Sequence, residues 1–110
     1  MTDFSYLNVD NAYKLINQKV TKTPLVTNDY INNLLEAEIY FKLENLQNTG
    51  SFKLRGATHK ITKLIETVKD SGVVAYSSGN HAQAVAYASM INSISAKIIM
   101  PKTAPQIKIE

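Results

Sequence analysis

Two short segments of this 110-residue chain place chemically useful residues where helices are expected to begin. In the first, Gly50-Ser51-Phe52-Lys53-Leu54-Arg55-Gly56-Ala57, one lysine follows a turn and enters a helix. In the second, Ser77-Ser78-Gly79-Asn80-His81, small and polar residues follow an apolar run. A lysine amine can react with carbonyl groups, and a turn at a helix N-terminus can bind an anion. Together the two segments suit the binding of an amino acid to an aldehyde cofactor.

Each segment also has an ordinary structural interpretation. Lysine is mostly a surface residue, so Lys53 and Arg55 fit exposed helix positions, and spacing alone favours that interpretation. The partial positive charge of a helix start, together with burial, would instead favour a neutral amine at Lys53. The turn at 77–80 fits both an anion site and a plain strand-to-helix connection capped by Asn or Ser. His59 and His81, taken singly, are more typical of structural residues.

Composition excludes several classes of function. The net charge is +3, and the lysines are scattered rather than clustered, which disfavours a nucleic-acid partner. The absence of cysteine excludes disulfides, thiolate zinc sites and thiol nucleophiles. The two histidines have no ligand partner at helical spacing, so no metal site is expected. Neither a secretory signal nor a membrane-length apolar run is visible, which predicts a cytoplasmic protein without a membrane partner.

The hydrophobic pattern predicts an α/β fold with a parallel sheet. Strands are expected at 25–27, 38–43, 73–76 and 96–100, and the run 73–76 is typical of a buried parallel strand. Helices are expected from an Asn8 cap to about Val20, from Asn28 or Asp29 to about Glu36, from a Ser51 cap to about Lys69, from Asn80 to about Ile91, and from near Ala104 or Pro105. Ligands of such sheets gather where helix N-termini point, and both segments of interest lie at such places.

These residues resemble the serine/threonine dehydratase family, within the pyridoxal-phosphate enzymes of the tryptophan-synthase β-subunit type. The lysine segment is similar to the family's cofactor-lysine motif, and residues 77–83 are similar to its substrate-carboxylate loop. Three further pieces agree in the same order: Thr23-Pro24-Leu25, 41–47 and 100–105. The residues after Lys53 are Leu54-Arg55 rather than Asp-Arg, and His81 follows Asn80. Both features favour a dehydratase over the related cysteine and threonine synthases.

The resemblance implies pyridoxal 5′-phosphate as cofactor, L-threonine or L-serine as substrate, and a homo-oligomeric parent enzyme. Lys53 would bind the cofactor covalently and later move the α-proton of the substrate. Phe52 would lie against the cofactor ring, and Asn80 would hydrogen-bond its 3′-oxygen. The substrate carboxylate would be held by Ser77, Ser78, Gly79, Asn80 and His81. The implied reaction is β-elimination of water, which yields 2-oxobutanoate or pyruvate plus ammonia and includes a role in isoleucine biosynthesis.

Two alternatives to a dehydratase remain open. Many biosynthetic threonine dehydratases have alanine at the position of Ser78, whereas serine racemases have serine, so a racemase is one alternative. The resemblance assigns 1–50 to the start of a larger subdomain and 51–110 to the start of a smaller one. It covers about the first third of such a catalytic domain, and the glycine-rich phosphate loop is not in this sequence. Residues 1–110 alone are therefore expected to have no useful activity, and an inactive remnant or a non-catalytic binding module is the other alternative.

Overall fold

The computed structural model describes residues 5–109, which form an α/β arrangement with two small two-stranded sheets. The elements in chain order are α1 (Tyr6–Ile16), β1 (Leu25–Thr27), α2 (Asp29–Leu35), β2 (Tyr40–Lys42), α3 (Lys53–Lys63), α4 (Ile65–Val68), β3 (Val73–Tyr76), α5 (Asn80–Met90) and β4 (Ala96–Ile99). Short 3₁₀ turns occupy Glu44–Leu46 and Gln106–Lys108.

The predicted parallel pairing is confirmed for β3 and β4. Val73 lies opposite Ala96 and Tyr76 lies opposite Ile99, with α5 as the crossover between the two strands. The strand expected at 38–43 does not join them, because β2 pairs antiparallel with β1. The chain reverses between β1 and β2 after α2, where Glu36 adopts a left-handed conformation with φ of 48°. This reversal returns β2 alongside β1 and leaves β3 and β4 as a separate sheet.

The hydrophobic core lies where α3 packs against α5 and α1. On α3, Leu54 and Ile61 are buried and Ala57 packs beside them. Small side chains on α5 let the two helices approach closely. Most of the apolar side chains of α1 are exposed. The buried core consists of Ile16, Val20, Leu54, Ile61, Ala84, Val85, Ala88 and Ile94.

Two predicted helix caps are wrong. Asn8 is already inside α1, because its N–H donates to the carbonyl of Ser5, and the helix ends at Ile16 rather than near Val20. Ser51 does not cap α3; the N-cap is Phe52, in a helical conformation with φ of −61°. The Ser51 hydroxyl is buried and has no hydrogen-bond partner. The cap of α2 is as predicted, with the side chain of Asn28 accepting from the N–H of Ile31 at 3.1 Å.

Two predicted helix lengths also differ from the structure. The helix expected to reach Lys69 breaks at Leu64, where φ of −100° and ψ of 13° leave the helical region. The N–H of Leu64 is shared between the carbonyls of Lys60 and Ile61, as is common at helix ends. Near the end of the chain, the helix expected from Ala104 or Pro105 is a single 3₁₀ turn.

The expectation that β3 is buried on both faces is wrong for the described residues. The side chains of Val74 and Tyr76 are 69% and 76% exposed. Among these residues α5 contacts both strands of the sheet, while the opposite face stays open. The N–H groups of Val73 and Ser77 donate to Ser95 and Ile99 beside β4. Because backbone groups alternate along a strand, those of Val74 and Tyr76 face the free edge of β3.

Gly72, which precedes β3, is expected to tolerate no side chain. Its φ is 73°, and an added Cβ would lie 2.7 Å from the carbonyl oxygen of Ser95. We expect Gly72→Ala to lower the free energy of unfolding by about 1–3 kcal/mol, because left-handed strain and this contact act together. Urea denaturation followed by circular dichroism measures the change.

Gly56→Ala is the matched control within α3. A Cβ at this position meets no atom within 4 Å, so alanine is expected to raise the free energy of unfolding by about 0.5–1 kcal/mol through helix propensity. Equal effects of the two substitutions would contradict the steric and conformational argument for Gly72.

Candidate active site

Lys53 is the first residue of α3, and its side chain is exposed in an open groove of about 820 Å³. Residues from both faces of β3, and none from β4, line this groove, which therefore follows the free edge of β3. The opposite wall comes from α3. Phe52 and His81 line the same groove, together with a second lysine, Lys60, seven residues after Lys53. The structure thus brings together three of the predicted site residues, Phe52, Lys53 and His81.

The burial that would favour a neutral amine at Lys53 is not found among the described residues. Its side chain is exposed, because the groove is open and nothing in 5–109 covers the start of α3. Phe52, immediately before it, is 65% exposed and lines the same groove. An accessible primary amine and an accessible aromatic ring in one groove fit an aromatic aldehyde such as pyridoxal 5′-phosphate.

The second segment is a tight turn between β3 and α5. The N–H of Ser77 donates to the carbonyl of Ile99 at 3.1 Å, and the N–H of Gly79 donates to the hydroxyl of Ser77 at 3.3 Å. Gly79 is the N-cap of α5 in an extended conformation, and no side chain caps the helix. Two N–H groups of the turn are therefore already in use, one in a bond to β4 and one within the turn. An anion bound at this turn would be held by the remaining hydrogen-bond donors. The hydroxyl of Ser78 is such a donor.

Asn80 and His81 lie on opposite sides of the start of α5. His81 lines the groove of Lys53, whereas Asn80 lines a second groove of about 740 Å³ together with Thr49 and Gly50. Ser77, Ser78 and Gly79 form the turn before α5 and line neither groove. The predicted site residues therefore surround the two helix starts without sharing a single cavity in the described residues.

Sequence reasoning missed an ion pair two residues after Lys53. Arg55 donates from Nε to Glu44 Oε2 at 2.9 Å and from Nη2 to Glu44 Oε1 at 2.7 Å. The two side chains are only 24% and 14% exposed, and the hydroxyl of Thr23 also donates to Glu44. Both residues belong to the motifs quoted above. Neither helical nor strand periodicity predicts a pair separated by eleven positions across a turn, so the sequence alone left Arg55 as an exposed helix residue.

This pair controls the protonation of the carboxylate. Hydrogen bonds from Arg55 lower the pKa of Glu44 from 4.5 to about 2, although burial opposes the change. The hydrogen bond from Thr23 and the positive charge of Arg55 contribute to the same lowering of the pKa. Glu44 is therefore ionised throughout the neutral range, and the bidentate contact is fully charged there.

Two further features bear on the class of site. Among residues 5–109, no group of three His, Cys, Asp or Glu side chains is placed to hold a metal ion. None of the helices in that range is long and apolar enough to cross a membrane.

Residues 16–110 match the protein family described as pyridoxal-phosphate dependent enzyme. A serine racemase from Dictyostelium discoideum is 44% identical over 109 residues, covering 99% of this chain and 34% of that protein. In the crystal structure of a serine racemase from the same organism, 94% of this chain superposes with a TM-score of 0.88 at 46% identity, covering 34% of that chain.

Two other relatives are named for elimination reactions. A biosynthetic L-threonine dehydratase from Lactococcus lactis is 52% identical over 101 residues, covering 92% of this chain and 24% of that protein. An L-threo-3-hydroxyaspartate ammonia-lyase from Saccharomyces cerevisiae is 44% identical over 105 residues, covering 96% of this chain and 32% of that protein. The chain thus spans a quarter to a third of the length of the relatives that it matches.

Replacement of Glu44 is expected to destabilise the fold in a pH-dependent manner. We expect Glu44→Gln to lower the free energy of unfolding by about 1–3 kcal/mol near pH 7, because Arg55 loses a charged partner in a partly buried place. The folded pKa lies below the unfolded value, so the stabilisation is complete above about pH 5 and is lost as the pH falls toward 2. Denaturation of the wild type and of Glu44→Gln across this pH range measures whether their free energies of unfolding converge at low pH.

The exposed pair of Lys69 and Glu66 provides the control. Their side chains are 52% and 81% exposed, so Glu66→Gln is expected to change the free energy of unfolding by less than about 0.5 kcal/mol. A difference between wild type and Glu44→Gln that stays constant from neutral pH to about pH 2 would show that the pair does not act through this carboxylate.

Proposed function

The chain belongs to the pyridoxal-phosphate dependent enzymes, and we propose that it supplies the cofactor-binding lysine and the carboxylate-binding turn of an enzyme that removes water from L-threonine or L-serine. The released enamine tautomerises to an imine, and water hydrolyses the imine to 2-oxobutanoate or pyruvate with ammonia. The observation on which the proposal rests is that the exposed side chains of Lys53 and Phe52 line one groove at a helix start.

The proposed roles follow from the family resemblance and, for Phe52 and Lys53, from the groove that both residues line. Bound pyridoxal phosphate would act as an electron sink for the carbanion formed at the substrate Cα. Lys53 would hold the cofactor until the substrate amine displaces it, and its freed amine would then accept the Cα proton and pass a proton to the departing β-hydroxyl, which leaves as water. Phe52 would lie against the cofactor ring, and Asn80 would hydrogen-bond its 3′-oxygen.

The turn at 77–81 has the proposed task of orienting the substrate. Its remaining N–H groups and the hydroxyl of Ser78 hold the carboxylate at the N-terminus of α5, where the helix dipole favours a negative charge. A fixed carboxylate directs the Cα–H bond at the amine of Lys53, which is the positional contribution that enzymes make to such a proton transfer. The names of the dehydratase and the ammonia-lyase among the relatives support elimination as the outcome.

Racemisation of serine is the second candidate, and Ser78 is the observation that favours it. A hydroxyl on the side of the cofactor opposite Lys53 can return the proton to the other face of Cα. The similarity to a serine racemase over 99% of the chain supports this alternative. The two candidates share the first step at Lys53 and differ in whether the β-hydroxyl leaves or Cα is reprotonated.

We further propose that 1–50 and 51–110 begin two subdomains of the parent enzyme. Among the described residues Ile16 and Val20 belong to the same core cluster as Leu54 and Ile61, so the two parts share one hydrophobic core. A movement of one subdomain against the other would therefore have to leave α1 packed on α3.

Loss of the amine at residue 53 is expected to abolish specific cofactor binding. We expect the purified chain to give a protein-specific absorbance band with pyridoxal phosphate, and Lys53→Ala to remove it, because the covalent attachment point is gone. Borohydride reduction followed by peptide mass analysis identifies the modified lysine.

Lys60→Ala is the matched control, since Lys60 lies on the same helix and lines the same groove. This variant is expected to keep the band and the label on Lys53. A band that survives Lys53→Ala, or a label distributed equally between the two lysines of the wild type, would contradict the assignment of Lys53.

Ser78→Ala is expected to separate the two candidate reactions. Because the sequence contains no glycine-rich phosphate loop, the assay uses a chimera in which 1–110 are joined to the part of the Dictyostelium racemase that follows its matched segment. We expect the substitution to reduce D-serine formation from L-serine at least about tenfold and to preserve pyruvate formation, because only racemisation needs the second proton donor. Undiminished D-serine formation in the variant would show that Ser78 is not this donor.

A further inference from the structure

The first turn of α3 contains Lys53 but has no side-chain cap. Phe52 is the N-cap residue and its side chain contributes no hydrogen bond, and the hydroxyl of Ser51 has no partner. An uncapped helix start leaves backbone N–H groups without partners and frays easily. Lys53 is exposed, so burial of its own side chain does not fix its direction. Whatever holds this turn must therefore act through a neighbouring residue.

Arg55 makes that connection from the same turn. Besides its two bonds to Glu44, its Nη2 donates to the backbone carbonyl of Thr21 at 3.0 Å. The backbone N–H of Arg55 donates to the carbonyl of Phe52 at 3.1 Å. Phe52 and Arg55, which lie on either side of Lys53, are thus joined by a backbone hydrogen bond, and the guanidinium of Arg55 connects them to Thr21 and Glu44. A lysine at position 55 cannot reproduce this planar geometry.

The segments that accept hydrogen bonds from Arg55 are themselves held in place by other hydrogen bonds. Gln47 is 4% exposed and pairs with the backbone of Thr21 in both directions, at 2.9 Å each. Lys42 donates to the carbonyl of Thr23 at 2.6 Å, and the hydroxyl of Thr23 donates to Glu44. The segment 44–55 is therefore a closed loop whose ends meet at the ion pair and whose base rests on 21–23.

We propose that Arg55 and Glu44 are positioning residues that fix the first turn of α3 and thereby the direction of Lys53 in its groove. Inside the closed loop, the N–H of Gly50 donates to the carbonyl of Gln47 at 2.7 Å, and Gly50 takes the positive φ that turns the chain into α3. Opening the ion pair removes the constraint at the far end of the loop, so the turn with Phe52 and Lys53 is free to change direction. This inference rests on the proposed role of Lys53.

Amide hydrogen exchange tests the positioning without any cofactor. In Glu44→Gln, the N–H groups of Gly50 and Arg55 are expected to exchange at least about tenfold faster, because the loop opens locally. The N–H of Ile91, which donates to Tyr87 at the end of α5, is expected to keep its rate. Glu66→Gln, which removes an exposed pair, is expected to change none of these rates.

Arg55→Lys is the second variant, which keeps the charge but loses the bidentate geometry. It is expected to accelerate the same two amides by a smaller factor, and it serves as the test if Glu44→Gln fails to fold. Unchanged exchange at Gly50 and Arg55 in the folded variants would overturn the proposal. Equal acceleration at Ile91 would overturn it as well, because the pair would then stabilise the whole fold rather than this turn.

A chemical labelling experiment reports on Lys53 directly. The ratio of pyridoxal-phosphate label trapped by borohydride on Lys53 and on Lys60 is expected to fall at least about fivefold in Glu44→Gln, since both amines line one groove and only Lys53 lies in the closed loop. An unchanged ratio would overturn the positioning role. A wild-type ratio near one would instead contradict the proposed role of Lys53, and the exchange result would still decide whether the loop is held by the pair.

Discussion

Close packing of α3 against α5 is the constraint on which the geometry of the candidate site depends. Leu54 on α3 and Ala84 and Ala88 on α5 are completely buried in the core between the helices. Lys53 immediately precedes Leu54, and α5 begins at Asn80, one turn before Ala84. The distance between the starts of α3 and α5 is therefore set by a contact between small and branched side chains. Close-packed interiors resist enlargement, so the core fixes where the two helices begin, whereas the pair of Arg55 and Glu44 fixes the direction of Lys53 within that frame.

The same packing leaves the outer wall of the site open. Helix α5 contacts the β3–β4 sheet, while Val74 and Tyr76 remain exposed and the free edge of β3 presents backbone groups along the groove. Proteins normally cover such an edge, because unpaired strands invite association. The relatives described above are about three to four times as long as the region that this chain matches. Covering the groove would also desolvate Lys53 and favour its neutral, reactive form.

Local patterns predicted what depends on local physics and failed where distant contacts decide. The strand at 73–76 and the helix that begins at Asn80 follow from an apolar run and from the polar turn after it. The antiparallel partner of β2, the break at Leu64 and the missing caps depend on contacts that no sequence window contains. For Lys53, residue type predicted the chemistry of the side chain but not whether other parts of the protein cover it.

The ion pair of Arg55 and Glu44 gives a physical reason why three motifs that are distant in the sequence occur in the same chain. Thr23, Glu44 and Arg55 come from three different pieces of the family resemblance, and all three meet in one hydrogen-bonded cluster. A lysine suited to covalent chemistry must be accessible, so it cannot be fixed by its own burial. The chain fixes it instead through a neighbour that is partly buried, charged and bidentate. Lys53 thereby provides the accessible amine, and Arg55 provides the rigidity that fixes its direction. Both residues belong to a single helical turn.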